Sequence, residues 1–243
     1  MAPTTEPDGH VVLEKHHRDI QGGTARAAMF GVSDGLVSNV AIVVGFAGAN
    51  PGPGLIRLAG LTGLIGGAVS MAAGEYVSMK AQSELLEREL DMERIELHRR
   101  PEAERRELAA IYRSRGVDEA TADQLATALS RDPEMALETH AREELGIDPS
   151  SLGRPLSAAV SSFVCFAVGA TVPVLPYFFA TGAAALVTAI VLGVIAALAV
   201  GTALARFTGR STVRSALRQL LFTAVPAVIT YALGAAVGVS GIG

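Results

Sequence analysis

Three side chains in otherwise apolar sequence could bind or pass a cation: Asp34, Met71 and Glu75. Met71, Glu75 and Met79 are spaced four residues apart, so a helix places them on one face. Asp34 and Glu75 are the only acids in the apolar parts of the chain. This grouping of carboxylates and thioethers, at the border between apolar and charged sequence, marks a candidate point of passage for a charged species.

The apolar sequence around these residues is long enough to span a bilayer, which takes about 20 residues per helix. Residues 27–49 and 58–79 each contain one acid, and each predicts one span. Residues 155–205 carry no charge and predict two spans with a turn near residues 173–181, and residues 219–243 predict a fifth. We therefore expect an all-α polytopic membrane protein with five transmembrane helices and a cytoplasmic helical domain between spans 2 and 3.

The charged middle of the chain separates these spans. Between Lys80 and Arg154 lie 18 acidic and 12 basic residues. No stop signal follows Lys80, so span 2 is expected to continue as one long helix to about Arg99, and Pro101 to begin the next helix, which Gly116 ends. Further helices are expected to start near Asp118 and at the pair Asp132-Pro133. The predicted organisation is a polar tail (1–25), spans 1 and 2 (26–80), an acidic helical domain (81–150) and spans 3 to 5 (151–243).

The distribution of Lys and Arg predicts the orientation in the membrane. Basic residues flank the N-terminal tail, fill residues 80–154 and recur between spans 4 and 5, whereas the other side has Arg57 alone. We expect a cytoplasmic N-terminus, an external C-terminus and, with no signal peptide visible, a bacterial inner membrane. The linker arginines recur every four residues and are expected to line one helix face toward anionic lipid headgroups: Arg206, Arg210, Arg214 and Arg218.

Asp34 and Met71 are predicted to lie at the same depth. At a rise of about 1.5 Å per residue, Asp34 lies roughly 12 Å from Arg26 and Met71 roughly 13 Å from Lys80. Glu75 lies about one turn nearer the cytoplasm. A charge within a span costs at least ~2.5 kcal/mol and usually marks an ion pathway, while adding a thioether to oxygen ligands favours later divalent transition metals. The alternatives are local pairing of Asp34 and snorkelling of Glu75; Met79, at the membrane edge, is expected to pack.

Same-face pairs of potential ligands occur on three helices of the charged segment. From spacing alone a solvated charged surface is the favoured interpretation, because acidic pairs decorate most exposed helices, and a multinuclear metal cage is the alternative. The pairs are Glu93 with Glu96, Glu104 with Glu107, and His140 with Glu144.

Other functions find no support in the sequence. There is no P-loop, dinucleotide fingerprint, Cys-rich zinc pattern or nucleophile–base pair, so we expect no enzyme and no tightly bound cofactor. Cys165 is expected to be a small buried hydrophobe. His10, His16 and His17 fall in the polar tail, where a solvated tail is favoured over metal contact.

Two motifs resemble the vacuolar iron transporter family. They are Ser33-Asp34-Gly35-Leu36-Val37-Ser38-Asn39 in span 1 and Ser70-Met71-Ala72-Ala73-Gly74-Glu75-Tyr76-Val77-Ser78 in span 2, the latter similar to the nodulin-like and bacterial branch. The resemblance implies a homodimer with a pathway lined by spans 1 and 2, antiport of Fe²⁺ or Mn²⁺ against protons, and metal collection by the helical domain. Co²⁺ and Zn²⁺ are further candidate substrates, and no nucleic acid is expected.

The resemblance also implies site residues. Asp34 and Met71 would line the pathway. In the helical domain the metal ligands would be Glu93, Glu96, Glu104, Glu107 and Glu144. The chain departs from the family's vacuolar members at two places. Gly63 replaces a glutamate, whose role we assign to Glu75. His140 and Ala141 replace two methionines, so that an imidazole stands in for sulfur. The alternative function is a membrane-anchored metal buffer or sensor.

Overall fold

The computed structural model describes residues 23–146, 148–149 and 153–239, with the backbone alone for Val239. These ranges are helical and contain no β-strand, which confirms the all-α prediction. The interpretation of His10, His16 and His17 lies outside the described residues.

Eight α-helices occupy the described ranges, and a short 3₁₀ helix, Leu175–Phe178, follows the sixth. Their bounds are α1 Thr24–Gly48, α2 Pro53–Arg99, α3 Pro101–Ser114, α4 Glu119–Leu129, α5 Pro133–Glu143, α6 Pro155–Val174, α7 Gly182–Thr208 and α8 Thr212–Val239.

Five of the described helices are long and apolar enough to cross a membrane: α1, α2, α6 with its 3₁₀ extension, α7 and α8. This agrees with the five predicted spans. The second of them is a single helix of 47 residues, as the missing stop signal after Lys80 predicted. Its apolar first half and charged second half therefore form one continuous rod.

Local signals determine where the helices begin and end. Asn50 adopts a left-handed conformation with φ 52° in the turn before α2. Gly116, with φ 94°, follows the end of α3. The Asp118 carboxylate accepts the amide hydrogen bond of Thr121 (3.1 Å) and so caps α4. Asp132 caps α5 in the same way, with Pro133 in the first turn.

The apolar bundle is built around α1, which contacts α2, α6, α7 and α8. Small residues allow these helices to approach closely, as is usual in membranes. A methyl group added at Gly35 would collide with the carbonyl oxygen of Phe166 on α6, and one at Gly234 of α8 with that of Gly45. On α7 a buried stripe of alanine and glycine recurs every four residues from Ala185 to Ala205.

The charged segment has small apolar cores of its own. Leu90 and Leu97 of α2 pack with Leu137 and Ala141 of α5. A second cluster joins α3 to α4 and contains Leu108, Ala109, Ala126, Tyr112 and Leu129. These contacts fix α5 against the last turns of α2, and α4 against α3.

The prediction for the linker arginines is wrong. Arg206, Arg210, Arg214 and Arg218 do not line one helix face, because the chain turns between them. The helix α7 ends at Thr208, Gly209 follows in the left-handed conformation (φ 67°), and α8 begins at Thr212. A four-residue spacing places side chains on one face only if the helix is continuous. Gly209 can adopt a positive φ without strain, and it ends the helix here.

Candidate metal sites

The structure brings Asp34 and Met71 to the walls of one groove between α1 and α2. We call it the Asp34 groove; its cavity volume is about 450 Å³. Asp34 is exposed to the groove's open side, and Met71 is half-buried. The lining residues are Asp34, Ser38, Ile42, Gly63, Gly67, Ser70, Met71 and Phe166.

The polar lining of the Asp34 groove consists of one carboxylate, one thioether and two hydroxyl groups. The Ser38 hydroxyl donates its proton to the backbone oxygen of Asp34 at 2.6 Å, which leaves its oxygen lone pairs available to a ligand. Oxygen donors combined with one soft sulfur suit divalent transition metals better than Mg²⁺ or Ca²⁺. The groove thus offers an incomplete ligand set, open on one side.

Glycines form the α2 wall of the groove. A Cβ atom at Gly63 would lie 2.7 Å from both Asn39 Oδ1 and Ile42 Cδ1, and one at Gly67 would collide with the ring of Phe166. A side chain at either position would therefore have to displace the side chains of Asn39 and Ile42 or the ring of Phe166. No carboxylate reaches the groove from Gly63, the position at which the resemblance implies one.

Asn39 is a further polar residue of this region. It is the last residue of the span 1 motif, but the sequence pattern alone assigns it no role. Its side chain is fully buried, and the amide nitrogen donates to the carbonyl oxygens of Gly60 (3.2 Å) and Ala170 (2.5 Å). It thereby ties α1 to α2 and α6 behind the Asp34 groove. A lone polar side chain inside a predicted span is the signal that could have identified it.

Glu75 lies outside the lining of the Asp34 groove, one turn along α2 from Met71. Its carboxylate accepts a hydrogen bond from Arg26 Nη2 at 2.7 Å, and its side chain is 11% exposed against 63% for that of Arg26. The pair links the start of α1 to α2 on the side that faces the charged segment. Met79, one turn further, is buried against Ala27 and Ala158, so it packs as predicted.

A second candidate site lies in the charged segment, where three helices bring together Glu93, Glu104 and His140. We call these three residues the buried cluster. One ligand atom from each lies within 4.8 Å of the others, and their exposures are 5%, 6% and 0%. The Nδ1 atom of His140 is 3.1 Å from Glu93 Oε1 and 3.4 Å from Glu144 Oε2.

The imidazole of His140 leaves one nitrogen unused. Nε2 is buried and, within the described part of the chain, has no hydrogen-bond partner. Burying such an atom unpaired costs about 1–3 kcal/mol, and buried carboxylates are normally paired or bound to metal. A divalent cation among these three side chains would neutralise the two buried carboxylates and could be bound by the imidazole, so the donor set fits a metal ion.

The charges of the cluster shift its proton affinities. Burial, then the charges of Glu93 and Glu107, raise the pKa of Glu104. Burial and the charge of Glu93 likewise raise the pKa of Glu144. Burial works against protonation of His140, but Glu93 and Glu144 outweigh it and raise its pKa. These groups therefore release their protons at a higher pH than exposed side chains of the same types do.

The remaining members of the predicted pairs lie at the edge of the cluster. Glu96 and Glu107 are exposed, and their charges act on Glu104. Each acidic pair is thus divided, with one member inside and one in solvent.

The rod of α2 connects the two candidate sites: 22 residues separate Met71 from Glu93, or about 33 Å.

Comparison with known proteins identifies the family. Residues 25–235 match the model of the VIT family. The chain is 38% identical over 188 residues to a vacuolar iron transporter of Acanthamoeba castellanii, covering 74% of this chain and 68% of that protein. It is 30% identical over 189 residues to vacuolar iron transporter 1 of Arabidopsis thaliana, covering 77% and 76% of the two chains.

A third relative is vacuolar iron transporter 2 of Oryza sativa subsp. japonica, 33% identical over 180 residues that cover 74% of this chain and 72% of the relative. These matches span both the apolar helices and the charged segment. They confirm the resemblance carried by the two motifs around Asp34 and Met71, and this integral membrane protein accordingly belongs to the VIT family.

Proposed function

We propose that this protein is a proton-coupled transporter that moves Fe²⁺ or Mn²⁺ out of the cytoplasm. The observation that carries the proposal is the Asp34 groove, in which a carboxylate and a thioether from two neighbouring membrane helices face one cavity of about 450 Å³. An acid at this depth is costly unless it serves an ion pathway. The names of the relatives, which are iron transporters, agree with a transition metal as the substrate.

The charged segment would collect the metal. Its buried cluster offers two carboxylates and an imidazole, donors that suit Fe²⁺, Mn²⁺, Co²⁺ and Zn²⁺ without the sulfur that would favour softer ions. Glu96, Glu107 and Glu144 surround it and would attract cations. In this scheme residues 81–150 form a cytoplasmic metal-binding domain, with the N-terminus inside and the C-terminus outside.

Proton coupling would follow from carboxylate chemistry. A carboxylate binds either a proton or a metal ion, so a cation that enters the Asp34 groove displaces a proton, and a proton that returns releases the cation. Glu75 would act at the mouth of the pathway, where Arg26 now neutralises it. The groove is open on one side, which supports a homodimer in which a second copy completes the pathway.

The test is transport by the full chain in proteoliposomes, with Fe²⁺, Mn²⁺, Co²⁺ and Zn²⁺ compared with and without a pH gradient. We expect uptake of Fe²⁺ or Mn²⁺ that the gradient accelerates. Asp34→Asn and Met71→Ala should abolish it while the protein stays folded. Met79→Leu, a change of a buried packing residue on the same helix, is the matched control. Transport at the wild-type rate in either pathway variant would refute the proposal.

A membrane-anchored metal buffer or sensor is the second candidate. The observation in its favour is that the buried cluster is complete within one chain, whereas the Asp34 groove is open. In that case the full-length protein would bind metal in proteoliposomes and move none across the bilayer, with or without a pH gradient. Glu104→Gln would then lose metal binding, and neither this variant nor the wild type would transport metal.

A further inference from the structure

A second, entirely apolar groove lies between α1 and α7, away from the Asp34 groove. Its cavity volume is about 420 Å³. On the α1 side it is lined by Met29 and Val32. On the α7 side Ala199 and Ala203, one turn apart, leave the space that larger side chains would fill. The groove runs along the last turns of α7, toward the end at which that helix leaves the apolar bundle.

Four arginines surround the end of α7 at which the groove stops. Arg206 lies in the last turn of α7, Arg210 follows the left-handed Gly209, and Arg214 and Arg218 lie one turn apart on α8. All four are exposed, and none forms a salt bridge with the residues that the structure describes. The sequence contains no acid from residue 155 onward, so no neighbouring carboxylate in these helices neutralises them.

The arginines and the groove are continuous along α7. Arg206 follows Ala203 by three residues and Ala199 by seven, which places all three side chains on one face of the helix. The beginning of α8 adds the positive end of a helix dipole near Arg210 and Arg214. A site with a cationic rim and an apolar extension into the membrane has the chemistry to hold an anionic amphiphile.

We propose that the α1–α7 groove and these arginines bind one anionic phospholipid, with an acyl chain in the groove and its phosphate on Arg206 and Arg210. Guanidinium groups match phosphate oxygens with paired hydrogen bonds. An apolar groove that opens beside them has no role in holding free phosphate. The site is independent of the proposed transport, since it requires only that the helices span a bilayer. Because Val32 precedes Asp34 by two residues on α1, the lipid would brace that helix from nearly its opposite face.

The test is lipid retention by the full-length protein in native mass spectrometry, after reconstitution in equal amounts of palmitoyl-oleoyl phosphatidylglycerol and phosphatidylcholine. We expect the wild type to retain phosphatidylglycerol preferentially. Each arginine that is removed from the rim, in Arg206→Gln and Arg210→Gln, should lower that preference about fivefold. Ala203→Trp should fill the groove and expel the lipid with all arginines present. Arg57→Gln, at the opposite end of the bundle, is the control and should retain the preference.

Three results would overturn the proposal. Equal retention of the two lipids by the wild type would remove the site. If inorganic phosphate displaces phosphatidylglycerol from the wild type, and Ala203→Trp still retains that lipid fully, the site binds phosphate and no acyl chain. A change of oligomeric state in Ala203→Trp, seen in the same spectra, would assign the groove to a second copy of the chain. Thermal unfolding of each variant verifies that it is folded, and Ala199→Trp replaces Ala203→Trp if that variant is not.

Discussion

The two candidate metal sites differ in how far a single chain completes them. In the Asp34 groove the carboxylate is exposed and faces a cavity that is open on one side. In the buried cluster three ligand side chains from three helices are at most 6% exposed and lie within 4.8 Å of one another. The first suits an ion that passes, and the second an ion that stays.

The difference has a physical cause in the two surroundings. In the membrane, small residues bring helices together and leave few side chains to act as ligands, as at Gly63 and Gly67. In the charged segment, leucine and alanine clusters pack α5 against α2 and α4 against α3, and Glu93, Glu104 and His140 are buried between helices. A pathway needs weak, incomplete ligation so that the ion can leave, whereas a collecting site benefits from preorganised ligands.

The largest expected effect separates the two sites by removing one ligand of the cluster. Glu104→Gln keeps the shape of the side chain and removes its charge, and should weaken Mn²⁺ binding about hundredfold, at the upper end of what disturbing a metal shell costs. The measurement is calorimetric titration of the full-length protein in an Asp34→Asn background, which silences the groove. Glu138→Gln makes the same change at an exposed acid that pairs with Arg142. An equal loss in both variants would mean that general charge, and not the cluster, binds the ion.

Gly35→Ala should damage the groove and spare the cluster. The added methyl would run into the carbonyl oxygen of Phe166, where α1 and α6 touch. Overpacking of this kind costs about 1–3 kcal/mol, so thermal unfolding in detergent should shift down and transport should fall. Gly66→Ala is the matched control, since no atom lies within 4 Å of its added Cβ. If Gly35→Ala also lowers the Mn²⁺ affinity of the buried cluster, then the groove and the cluster fold as one unit.

The helix ends and the spans could be predicted from the sequence because their signals are local. Pro101, Asp118 and Asp132 each act on the turn that contains them. The membrane spans follow from apolar length alone. The prediction that the four linker arginines line one helix face failed because a spacing rule presumes a continuous helix. Gly209 is a local signal that interrupts that helix.

The sites could be predicted only in part, because burial depends on contacts distant in sequence. Spacing placed Glu93 with Glu96 and Glu104 with Glu107 on common faces, but it cannot tell which member points inward. The structure buries Glu93 and Glu104 and exposes their partners. Likewise, position along α2 placed Glu75 near Met71, while the contact with Arg26, 49 residues earlier, turns its carboxylate to another partner.

Proton competition should distinguish the cluster from an ordinary acidic surface. The raised pKa values of Glu104, Glu144 and His140 mean that these groups hold protons at a pH at which exposed carboxylates have lost theirs. Metal must displace those protons, so affinity should increase with pH, by about tenfold per unit for each proton released. The rise should continue above the ordinary imidazole value of 6.5. Titrations of the Asp34→Asn protein at several pH values, with His140→Ala as comparison, measure it; an unchanged slope in His140→Ala would exclude the imidazole as a ligand.

The smallest expected effect concerns the ion pair at the mouth of the groove. Arg26→Gln removes the partner that now occupies Glu75. Because the Arg26 side chain is 63% exposed, solvent screens the pair and its loss should change stability by only about 0.2–1 kcal/mol. A freed Glu75 carboxylate would attract a cation, so the KM for Fe²⁺ or Mn²⁺ transport should fall about twofold to fivefold. Lys80→Gln, which breaks the exposed pair of Lys80 with Glu84, controls for the loss of one positive charge near the membrane. If KM rises in Arg26→Gln and not in Lys80→Gln, then Arg26 guides the ion into the groove and Glu75 serves only to hold Arg26 in place.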